Sequence, residues 1–275
     1  MMLIFVLVIG GLGALAGHVY QDWGIAIGVV IFALAYAFLE YFIAGRLAVS
    51  ISGGKEIEKK DSPELWRTVE NLAITEGIPM PRVFLIDDPA PNAFATGRNP
   101  KHAMVAATTG LLDIMNKREL EAVMAHEIGH VRNYDILIST VVFGLVSAIG
   151  MLCDLFVRMA FYGRNDRDSA PVMIFGLVAM IIAPVVAMLV RLAISRQREY
   201  LADASATMTT RDSEGMIMAL EKLKTNSKPM KKQNTSIEHL YISSPLKPGF
   251  FSKLFSTHPP IDERIERLKK NATRI

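Results

Sequence analysis

Four long apolar runs dominate the chain. They cover Met1 to Ala16, Trp23 to Ala44 with Glu40 near its end, about Ile136 to Val157 with Asp154 late in it, and Pro171 to Val190, which carries no charge. A helix needs roughly 20 residues to cross the hydrocarbon layer. The fourth run meets that outright, the second and third nearly so, and the first is marginal. Pro184 would kink the fourth rather than end it. The first run has no basic residues ahead of it, and a second run follows at once. That predicts a retained helical hairpin rather than a cleaved signal peptide. The reading is four crossings, with both large polar stretches on one side of the membrane.

The polar stretches show shorter periods. Leu65, Trp66, Val69, Leu72 and Ala73 recur at helical spacing behind Ser62-Pro63, a helix start. Arg82 to Ile86 reads as a strand closed by Asp87-Asp88-Pro89. Ala93 to Thr96 and Met104 to Thr108 read as two more strands, close enough for a hairpin across Gly97 to Lys101. Gly110 and Asp113 read as a break before a long helix from about Lys117 to Tyr134. Beyond the last apolar run, helices are expected over Arg196 to Thr207, Asp212 to Leu223 and Pro259 to Leu268. The lysine-rich stretch from Lys224 to Gln233 reads as a solvated loop, or as a contact for anionic headgroups. This divides the chain into a membrane hairpin (1–44), a polar part (45–135), a second hairpin (136–190) and a second polar part (191–275).

Composition sharpens the membrane reading. Apolar residues make up 51% and charged residues 21%, and the apolar excess lies in the runs rather than spread as in a soluble core. A net charge of +3 is too slight to argue for nucleic acid, and no basic stripe supports it. Cys153 is the sole cysteine, so no intrachain disulfide is available. Arg46, Lys55, Lys59, Lys60, Arg132, Arg191, Arg196 and Arg198 flank the runs on the side of the polar stretches, which makes that side cytoplasmic. Arg158, Arg164 and Arg167 cut against this, because they lie in or beside the loop expected outside.

Candidate chemistry centres on His126-Glu127-Ile128-Gly129-His130. Residues four apart on a helix lie one above the other, so both imidazoles can reach one ion. Zinc accepts imidazole nitrogen and, in catalytic sites, keeps a position open for water. Glu127 lies about 100° round the helix from His126, placed to take a proton from water acidified by the ion. A third ligand is needed. Glu199 and Asp203 stand four apart on one face of the Arg196 to Thr207 helix. One of them could bind the ion while the other orients an imidazole.

These motifs resemble the HtpX heat-shock protease family of membrane zinc metallopeptidases, related to the Ste24 CAAX prenyl proteases. The likeness extends to Pro91-Asn-Ala-Phe-Ala-Thr-Gly97, Glu199-Tyr-Leu-Ala-Asp-Ala204 and Phe255-Ser-Thr-His-Pro-Pro-Ile-Asp-Glu-Arg-Ile265. It implies an α-helical membrane protein with an α+β, zincin-like metallopeptidase domain, about four transmembrane helices and a small sheet whose edge strand binds substrate. It implies one zinc on His126, His130 and Glu199, with Glu127 as general base and Asp203 supporting the histidines. Ala93, Phe94, Met104, Val105 and Ala106 resemble the substrate-holding strands, with Asn92 at their mouth as a backbone-binding amide or a plain turn residue. His258 and Arg264 resemble residues near the reacting carbonyl, and either a catalytic or a structural role fits them. The implied partners are the lipid bilayer and misfolded or unfolded polypeptides, with prenylated peptides as the alternative substrate and a non-catalytic scaffold as a third reading.

Overall fold

The computed structural model describes residues 21–144, 196–232, 237–243 and 259–272, with scattered positions among 6–18 and at 147. The fourth apolar run, most of the first and the later part of the third lie outside the described residues. So do the 163–170 loop, Cys153 and His258.

The second apolar run forms helix α1 (Trp23–Ser52). Its 30 residues span about 45 Å at 1.5 Å per residue, longer than the roughly 30 Å hydrocarbon layer. Ala26–Ser52 is the one candidate membrane span among the described residues. Ile27, Ile31, Phe32, Leu34, Phe38 and Leu39 are exposed, as lipid-facing side chains would be. A shorter apolar helix, Asp135–Gly144, opens the third run. It meets α1 where the Tyr36 hydroxyl donates to the Gly144 carbonyl at 2.9 Å. A β-carbon at residue 144 would meet the Glu40 side chain, which would have to move aside.

Chain packing separates two units, Met1–Ala44 with Val141–Leu192 and Gly45–Thr140 with Ala193–Ile275. The second unit is α+β. Its elements are β1 (Gly54–Glu56), α2 (Pro63–Thr75), β2 (Arg82–Ile86), β3 (Ala93–Thr96), β4 (Met104–Thr108), α3 (Thr109–Ile114), α4 (Lys117–Arg132), α5 (Arg196–Thr210), α6 (Ser213–Thr225) and α7 (Ile261–Ala272). Short 3-10 turns occur at Pro100–His102 and Glu238–Leu240. The sheet order is β1-β2-β4-β3. β2 and β4 are parallel, whereas β1 and β3 pair antiparallel with their neighbours. Ala93 faces Ala107 and Thr96 faces Met104 in the hairpin.

Two details differ from the sequence pattern. Gly110 does not break the chain. Thr108 caps α3 by accepting the Leu111 N–H, and Gly110 lies so close to the Pro89 backbone that no side chain would fit. The lysine-rich loop is also pinned, because Met230 is buried and the Lys231 N–H donates to Asp88 Oδ2 at 2.7 Å.

Helix α4 carries the site and is held at its start. Asn116 and Glu119 form a reciprocal capping box, which satisfies two otherwise orphaned N–H groups. Lys222 on α6 binds Glu119 at 2.6 Å. At the far end Glu76, after α2, accepts from Arg132 at 2.6 Å and from Thr209 of α5. Leu120, Val123, Met124 and Ile128 of α4 join Val69, Val105, Leu220 and Leu268 in one core. Glu199, Ala202, Asp203 and Ala206 form the buried stripe of α5. The small residues of that stripe let α5 lie close to Gly129, whose nearest neighbours there are Ser205 and Ala202.

Candidate metal centre

One turn of α4 puts His126 beneath His130. Their rings meet edge to face with centroids 4.8 Å apart, and the two Nε2 atoms face one another at 3.2 Å. Glu199 arrives from α5. Its Oε2 lies 3.7 Å from His126 Nε2 and its Oε1 lies 3.6 Å from His130 Nε2. Ligand atoms of all three residues fall within 4.8 Å of one another. Two donors about 2.0–2.1 Å from a tetrahedral zinc are about 3.3 Å apart, so the donor spacing and the N, N, O chemistry fit that ion.

The other ring nitrogens are occupied by carboxylates. His126 Nδ1 lies 2.9 Å from Asp203 Oδ1, and His130 Nδ1 lies 3.1 Å from Asp135 Oδ2. In a neutral ring, donation from Nδ1 to a carboxylate would leave Nε2 as the bare nitrogen, the tautomer a metal requires. Arg264 is wholly buried and grips Asp203 with Nε at 2.9 Å and Nη2 at 2.6 Å. The same Nη2 is 3.4 Å from His126 Nδ1. Both groups are donors there, so the contact is an approach forced by their shared carboxylate.

The electrostatics follow from burial. Burial alone would push the His126 pKa down, but Asp203 and then Glu199 outweigh it and raise it to about 9. A metal entering there must displace a proton. Burial would raise the Asp203 carboxyl, yet the Arg264 guanidinium holds it well below the usual carboxylate range. Glu127 is buried, and its charge is felt by Arg264, as is that of Glu199.

The expected substrate residues separate. β4 is paired on both sides, by β2 and β3. Met104, Val105 and Ala106 therefore have no free backbone to offer, which corrects the expectation that both strands receive substrate. β3 is the sheet edge, and Ala93 and Phe94 lie on it. In this register Ala93 and Ala95 turn their N–H and C=O groups outward, away from β4. That edge is partly covered by the chain itself. The Ile242 N–H donates to the Ala93 carbonyl at 3.0 Å, and Tyr241 packs edge-on against Phe94. Asn92 is buried. Its amide donates to the Ser243 carbonyl at 2.8 Å and accepts the Ser243 N–H at 3.2 Å. It clamps the chain's own segment instead of lying open at a mouth. Asp135 went unnoticed in the sequence, because helical spacing does not bring it to His130.

A histidine pair backed by carboxylates and met by a glutamate from a second helix is a donor set that could hold a catalytic metal ion. The chain belongs to peptidase family M48, whose sequence pattern matches residues 59–272. It is 53% identical over 269 residues to a "Protease HtpX homolog" of Tropheryma whipplei (strain TW08/27), covering 97% of this chain and 92% of that protein. It is 47% identical over 272 residues to a "Protease HtpX homolog" of Streptococcus gordonii, covering 94% and 91%. The fold resembles the crystal structure of S. mikatae Ste24p, with a TM-score of 0.53 at 19% identity. That match covers 95% of this chain and 62% of the Ste24p chain.

Proposed function

We propose that this metalloprotease is a multi-pass zinc endopeptidase that cleaves misfolded or damaged membrane proteins on the cytoplasmic face. Its protease part would be built from 45–135 and 191–275, carried by the membrane hairpins 1–44 and 136–190. The observation that supports this best is the convergence of His126, His130 and Glu199 within 4.8 Å. Those three residues would hold the ion. Bound there, zinc would polarise the scissile carbonyl and lower the pKa of a water. Glu127 takes the proton of the attacking water and delivers it to the leaving amine. Asp203 orients His126, and Arg264 keeps Asp203 ionised. That is a positioning role for Arg264 rather than direct contact with the reacting oxygen.

The substrate adds to β3 as an extended strand through Ala93 and Ala95, a mode that reads backbone more than side chains and suits a broad range of polypeptides. Ile242 must leave the Ala93 carbonyl for this to happen, so the 241–243 segment restrains access.

The test compares purified, zinc-loaded protein with its Glu127→Gln variant on casein. Loss of about 10²–10⁴-fold in rate with zinc retained is expected. Full proteolysis by the variant would overturn the assigned mechanism.

A further inference from the structure

His130 owes its orientation to an interruption that follows it. α4 ends at Arg132, and Asp135 stands five residues beyond His130. On a continuous helix five residues turn through about 500°, leaving Asp135 about 140° away round the axis. Tyr134 breaks that course. Its φ is +60°, a left-handed conformation that a bulky L-residue seldom adopts. The turn is locked by its own hydrogen bonds, Tyr134 N–H to the Val131 carbonyl and Leu137 N–H to the Tyr134 carbonyl, both 3.2 Å. Tyr134 is 54% exposed, so what the position supplies is its backbone. Asp135 is thereby returned to His130, with Oδ2 at 3.1 Å from Nδ1. Its Oδ1 faces Arg198 Nη1 at 3.6 Å, and Arg198 precedes Glu199 on α5. His130–Asp135–Arg198 thus repeats the order of His126–Asp203–Arg264.

We infer that Asp135 is a positioning residue of the metal site, delivered by the left-handed Tyr134 and faced on its other oxygen by Arg198, and that it fixes His130 with Nε2 turned to the ion. The inference rests on the zinc reading above. The competing role for Asp135 is structural, as an acid in the first turn of the Asp135–Gly144 helix, where negative charge is favourable.

The test measures zinc affinity of the full-length, detergent-purified protein by chelator competition, together with the visible spectrum of the cobalt form. Asp135→Ala should weaken zinc about 10–100-fold and alter the cobalt bands, and Asp135→Glu should recover part of the loss. Tyr134→Gly should keep wild-type affinity, because glycine accepts the left-handed conformation. Tyr134→Val should lose affinity as Asp135→Ala does. Wild-type affinity and spectrum in Asp135→Ala, with only thermal stability lowered, would assign the structural role and overturn the inference. Wild-type zinc affinity in the His130→Ala variant would overturn the zinc reading and this inference with it.

Discussion

His126 and His130 sit four residues apart on one helix, yet their supports differ. The His126 side chain is 0% exposed, as is that of Arg264, with Asp203 at 4%. Around His130 the values rise outward, with His130 and Asp135 both at 14% and Arg198 at 34%. The inner arm is closed by two short hydrogen bonds, whereas the outer arm ends in a 3.6 Å ion pair. A buried charge that loses its partner stays unsolvated, while a half-exposed one recovers water. The inner arm is therefore part of the architecture. On the proposed reading the outer arm would tune the metal site, and its greater exposure lets it be altered at lower cost.

That contrast breaks most readily at Arg264. Arg264→Met leaves the Asp203 carboxylate buried without its cation and should cost about 3–5 kcal/mol in chemical denaturation. A loss no larger than that from Arg198→Ala would erase the distinction between the arms. The same pair sets an acid limit. Asp203 has a folded pKa below its unfolded value. Its stabilising effect is therefore complete above the ordinary carboxylate pKa of about 4 and is lost as pH falls below it. Wild-type melting temperature should drop on acidification through that range, and Arg264→Met should flatten this drop.

A smaller effect is expected at the sheet edge. Ile242→Pro removes the N–H that occupies the Ala93 carbonyl. It should cost about 0.5–1.5 kcal/mol, the worth of one hydrogen bond, while raising the initial rate of casein cleavage. Unchanged or slower cleavage would count against restraint by the 241–243 segment. The smallest change is expected at the outer end of the outer arm. Arg198→Ala should shift unfolding by about 0–1 kcal/mol, and a larger shift would mean that the outer arm also bears structure.

Most of the candidate site was legible in the sequence because its residues follow helical spacing. His126 and His130 share a face of α4, and Glu199 and Asp203 share one of α5. The strands at Arg82, Ala93 and Met104 were readable from short apolar runs bounded by turn residues. Asp135 was hidden because the left-handed residue that aims it is a tyrosine, which carries no turn signature. β1 was hidden because Gly54-Lys55-Glu56 has no apolar alternation. It forms because Gly53, with φ +81°, turns the chain out of α1 and onto β2. The burial of Asn92 depends on Ser243, 151 residues away, and no local pattern reports such a partner. The role of Met104, Val105 and Ala106 turned on strand order, which places β4 inside the sheet and β3 at its edge.

The central claim is that three residues from two helices hold one zinc. Anomalous scattering recorded on either side of the zinc absorption edge, from crystals of the zinc-loaded protein, tests it most directly. A single peak bonded to His126 Nε2, His130 Nε2 and a Glu199 carboxylate oxygen is the predicted result. A peak that leaves Glu199 unbound, or one located on other side chains, would contradict it.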